Sequence, residues 1–93
     1  MGGSIVCAID ETGSGRSAAS HAIRLARRLR RRAVLVPIGG PFDPAGALID
    51  VARREAADLI VVPAASRSIV ETLVRDAPCP VMVVHSRLVP AAT

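Results

Sequence analysis

The sequence predicts an α/β domain built on a parallel sheet with crossover helices. Four short aliphatic runs alternate with three amphipathic segments, in the order β-α-β-α-β-α-β. The strand-forming runs are apolar at consecutive positions, as in strands buried on both faces. Turn and cap residues stand at most of the junctions between them. At 93 residues the chain makes one domain with a modest core.

Ile5-Val6-Cys7-Ala8-Ile9 is the first strand, and it stops at Asp10. Asp10 to Gly15 is a loop of turn formers, with Ser14 a candidate N-cap. Arg16 to Arg31 is helical: Ala18, Ala22, Leu25, Ala26 and Leu29 make its apolar stripe, opposite Ser17, Ser20, Arg24, Arg27, Arg28 and Arg31. Ala33 to Ile38 is a second strand, closed by Gly39-Gly40-Pro41. Asp43-Pro44 places a cap and then proline at the first helical position. Ala45, Leu48, Ile49, Ala52 and Ala56 form the buried side of that helix. Leu59 to Val62 is the third strand. Ser68-x-x-Glu71 reads as a capping box for a helix over Ile69 to Asp76, which Pro78 ends. Val81 to Val84 is the last strand, and Ser86 to Thr93 reads as a loose tail.

Composition narrows the function classes. No apolar run approaches the ~20 residues of a membrane helix, and no signal-peptide pattern opens the chain, so a soluble cytoplasmic protein is expected. Cys7 and Cys79 read as small hydrophobes, without the spacing of a zinc site. The net charge is +4, and every basic residue is Arg, which reads as genome composition rather than chemistry. Arg27, Arg28, Arg30, Arg31 and Arg32 crowd one helix end. Cations there complement the helix dipole, and such runs usually mark a solvated face. Nucleic acid is disfavoured, since recognition motifs and stacking aromatics are both lacking. His21 and His85 are distant in sequence and no Gly-x-Ser-x-Gly occurs, so no catalytic residue and no enzyme is expected.

Ala57-Asp58-Leu59-Ile60-Val61-Val62, followed by Ala77-Pro78-Cys79-Pro80-Val81, resembles the C-terminal half of the universal stress protein family. Ile5 to Asp10 with the Ala18, Ala22, Ala26 helix is similar to that family's first β-α unit, so the likeness covers nearly the whole chain. It implies a minimal doubly wound, Rossmann-like sheet of about four strands in chain-numbered order 2-1-3-4 with three helices. One helix and one strand of the usual family pattern are missing after Ile38. Proline cannot donate to a ladder, so Pro37 independently suits an edge at strand 2.

The family's ATP-binding members carry Gly-x2-Gly-x9-Gly-[Ser/Thr] between the last two strands. Here the gap from Pro63 to Ser68 holds no glycine. Ligands of such sheets bind at the switch point beyond the strand ends. The candidate nucleotide or anion crevice is therefore Asp10, Thr12 and Ser14 on one side and Ser66, Arg67 and Ser68 on the other. Asp10 matches the family's adenosine-binding acid, or is a turn residue bonding the following amides. Ser68 matches the motif's terminal position, but a simple capping role is the preferred reading.

The resulting expectation is a non-enzymatic, dimerising or regulatory stress-response module with lost or weakened ATP binding and no required cofactor or metal. Two alternatives stand beside it. One is an ATP- or AMP-binding stress protein. The other is an Arg-rich module that engages nucleic acid or an acidic partner through Arg24, Arg27, Arg28 and Arg31. One helix cannot cover four strands, so a homodimer is expected, with Val81, Met82, Val83 and Val84 as interface candidates.

Overall fold

The computed structural model describes residues 3–9, 13–38, 43–64 and 67–85. Its elements are β1 (Ser4–Ile9), α1 (Gly13–Leu29), β2 (Arg32–Pro37), α2 (Pro44–Arg54), β3 (Ala57–Pro63), α3 (Arg67–Asp76) and β4 (Val81–Val84). All strand pairs are parallel, and the order is β2-β1-β3-β4. The expected strand order is the observed one.

Right-handed crossovers put the helices on opposite faces, because the direction of travel across the sheet reverses after β2. On one face α1 lays Ala18, Ala22 and Ala26 against Ile5, Cys7, Val61 and Val84. Three alanines at helical spacing let the helix approach β1 and β3 closely, and none is more than 3% exposed. On the other face α2 and α3 bury Leu48, Ala52 and Leu73 against Val6, Ala8, Ile60 and Val62. The single helix leaves its flanks bare. Leu35 on β2 is 41% exposed and Met82 on β4 is 38% exposed, and register places both on the α1 face.

Pairing also fixes what each sheet edge presents. In a parallel ladder the N–H and C=O of one residue point to the same side, and those of the next residue to the other. Ile38 N–H donates to the Ile9 carbonyl, so Ala33, Leu35 and Pro37 turn their backbone outward. Pro37 thus has its missing N–H on the free side of an edge strand, as expected. At the opposite edge Ile60 N–H donates to Pro80 O and Ala64 N–H to Val84 O. Val81 and Val83 are therefore the residues of β4 whose backbone faces solvent.

Several ends differ from the sequence expectation. The first helix runs from Gly13 to Leu29 rather than from Arg16 to Arg31. It closes through Arg30 at φ 55, with Arg30 N–H donating to Arg27 O and Arg31 N–H to Ala26 O. Ser14 consequently lies inside the first turn instead of capping it. Ala56 (φ 52) ends α2 in the same left-handed conformation. The third helix begins at Arg67, so Ser68 is inside it and is not the cap of a capping box. The Asp43 cap is as expected: its Oδ1 accepts from Gly46 N–H at 3.2 Å, with Pro44 at the first helical position.

The start of β1 is tied to the end of α2. Buried Ser4 donates its hydroxyl to the Glu55 carbonyl at 2.9 Å. Beside it, a Cβ on Gly3 would collide with the Ala56 carbonyl and the Asp58 carboxylate. Only glycine fits this approach.

Candidate functional site

The β1/β3 switch point lies between the ends of Ile9 and Pro63. Asp10, Thr12 and Ser66 of the expected crevice lie outside the described residues, and of Ser14 only the helical backbone is described. Arg67 and Ser68 are both exposed in the first turn of α3. Ser68 offers its carbonyl to the Thr72 hydroxyl at 3.2 Å. With Asp43, Pro44, Ala45, Ile69 and Thr72 it lines a cleft of about 120 Å³ between the starts of α2 and α3.

The electrostatics of that cleft work against an anion. A helix N-terminus attracts negative charge through its free N–H groups. At α2 the Asp43 carboxylate already fills that role, and its charge stands beside Ser68. The connection from Pro63 to Arg67 is also short: three residues, Ala64, Ala65 and Ser66, none of them glycine. Glycine lets successive backbone N–H groups approach a phosphate without a Cβ in the way, and this step contains none.

The arginine cluster divides into two groups. Arg31 Nε donates to Asp58 Oδ2 at 2.6 Å, and Arg32 Nη2 to Glu55 Oε1 at 2.6 Å. These two knit α1 and β2 to the α2–β3 junction, which gives Arg31 an ion pair within the chain. Asp58 is placed for this by an irregularity in the β1–β3 ladder: Ser4 pairs with Ala57 and Ile5 with Leu59, leaving Asp58 without a partner strand residue. Arg24, Arg27 and Arg28 are exposed on the outer side and flank of α1.

A second hollow was not foreseen from sequence. Along the β4 side of α1, His21, Arg24, Leu25, Arg28 and Met82 line a groove of about 300 Å³. It continues into a hollow of about 530 Å³ lined by Ser17, His21, Met82, Val83, Val84 and His85. The two histidines that are remote in sequence thus border one surface depression. Among the described residues there is no group of three His, Cys, Asp or Glu placed to hold a metal.

The four interface candidates fall into different environments. Val84 is only 7% exposed and belongs to the α1-side core, so its side chain is spoken for within the chain. Val81 packs partly against the α2–α3 side. Val83 is half-buried, and Met82 is the exposed member.

Both thiols hold their proton more firmly than a free cysteine does. Burial pushes the Cys7 thiol from its ordinary 9.0 to about 11. Burial, and secondarily the charge of Asp58, raises that of Cys79.

No family model matches this chain, and no curated protein sequence does. Among solved structures it is similar to the universal stress protein from Archaeoglobus fulgidus in complex with dAMP. The match has a TM-score of 0.56 at 14% identity and covers 87% of this chain and 96% of that one. At that identity the likeness establishes the fold: a four-stranded parallel Rossmann-like sheet with three helices. No helix among the described residues is long and apolar enough to cross a membrane.

Proposed function

We propose that this chain is a non-enzymatic, universal-stress-protein-like module that pairs with a second copy through β4 and binds nucleotide weakly or not at all. The observation that carries the nucleotide part is the three-residue, glycine-free step from β3 to α3. The similar archaeal protein is described in complex with dAMP. In this chain the step from β3 to α3 holds no glycine, which would let backbone N–H groups approach a phosphate closely, and Asp43 adds a like charge at the cleft that Ser68 lines.

Pairing is supported by the β4 edge. Val81 and Val83 turn their N–H and C=O groups outward, and Met82 is exposed beside them. An unpaired parallel-sheet edge is a template for another strand. The stress-response role is an inference by fold analogy.

The test uses the absence of Trp and Tyr. The chain itself contributes almost nothing in the near ultraviolet, so freshly purified protein, freed of nucleic acid, should show no adenine band. A stoichiometric band would overturn the reading in favour of the nucleotide-binding alternative. Light scattering at micromolar concentration should give twice the chain mass; a stable monomer would refute the pairing.

A further inference from the structure

The groove beside α1 takes no part in the nucleotide reading, yet its chemistry is well defined. Leu25 and the 38%-exposed Met82 form its floor, while His21, Arg24 and Arg28 form one wall. Among the described residues no carboxylate lines it or its continuation along β4. Its outer side is open among the described residues, where the α1 face of β4 carries no helix of its own.

The β4 pairing proposed above, on which this inference rests, supplies the second wall. Antiparallel strands joined edge to edge are related by a two-fold axis perpendicular to the sheet, so both copies of α1 lie on the same face. With strands about 4.8 Å apart and α1 over β1 and β3, the two α1 axes stand roughly 20 Å apart across the joint. Packed helices lie about 8–10 Å from axis to axis. The gap is one helix wide.

We propose that this shared groove takes a single amphipathic helix from an acidic partner protein. Its apolar stripe would lie on Met82 and Leu25, and its acidic flanks against Arg24 and Arg28 of both protomers. Matching an apolar floor between cationic walls requires both features at once. A second copy does not qualify, because the last turns of α1, α2 and α3 are themselves basic. A nucleic acid would leave the Leu25–Met82 floor unmatched.

The probe is a labelled synthetic helix of about 18 residues with leucine at helical spacing and glutamate elsewhere. Anisotropy titrations use the full chain, with its mass measured in the same buffer. One peptide should bind per two chains. Arg24→Glu with Arg28→Glu should weaken binding at least about tenfold at unchanged mass and helicity, and should create binding for a leucine–lysine peptide. A dimer that ignores the peptide, or a double variant that binds it equally well, overturns the groove while leaving the pairing intact. A scrambled leucine–glutamate peptide or an oligonucleotide that binds as tightly reduces the site to a general polyanion surface and refutes the proposal. A monomer at all concentrations refutes the pairing, and the two-walled groove with it.

Discussion

Arg31 Nε donates to Asp58 Oδ2 at 2.6 Å, joining the end of α1 to the first residues of β3 across 27 positions of sequence. Asp58 is the residue that the β1–β3 register shift leaves unpaired, so its side chain is free to meet Arg31. The pair gives one member of the arginine cluster a partner within the chain, while Arg24, Arg27 and Arg28 stand exposed on α1.

Replacing Arg31 by Gln should therefore cost more stability than replacing Arg27. Both partners are partly exposed, which limits the pair to about 0.5–1 kcal/mol. Urea titration of Arg31→Gln, Asp58→Asn and the double variant would check this, and additive effects would show that the pair contributes nothing.

Ala56→Gly should stabilise the fold by about 0.5–1 kcal/mol, and Arg30→Gly by a similar amount. Both residues hold positive φ at a helix end, where a Cβ is disfavoured. The midpoint of thermal unfolding should rise in each variant, against the usual sense of a glycine substitution.

Asp43→Ala should lower stability by about 1 kcal/mol, because Gly46 N–H loses its acceptor at the start of α2. Asp43→Asn should retain most of it. The same two variants separate capping from charge at the cleft shared with Ser68.

Stability should fall in alkali. Cys7 is raised from 9.0 to about 11 in the fold, so the unfolded chain gives up that proton first as pH rises. The contribution is complete below pH 9.0 and lost as pH climbs through about 11, on the order of 3 kcal/mol. Cys7→Ala should remove most of this dependence from urea midpoints. In native protein an alkylating reagent should reach Cys79 and spare the buried Cys7.

The fold was largely legible because its signals are local or combinatorial. Consecutive apolar residues in Ile5 to Ile9 and Leu59 to Val62 mark strands covered on both faces, and Pro37 marks an edge. Asp43-Pro44 announces α2 without ambiguity. Helix ends were less legible, since Arg30 and Ala56 adopt a conformation that glycine usually signals. Ser68 misled because its capping-box spacing to Glu71 falls within the first turn of the helix, whose start is Arg67. The groove beside α1 had no local signal at all. His21 and Met82 meet only through the order β1-β3-β4 and the placement of α1.

The position of β1 between β2 and β3 has a consequence for how the chain matures. The central strand β1 is made before both of its neighbours, and the second of these is not complete until Pro63. Ser4 likewise waits for Glu55 before its hydroxyl has an acceptor. During synthesis β1 thus waits for the partners that bury it, and such non-local pairing is intrinsically slow.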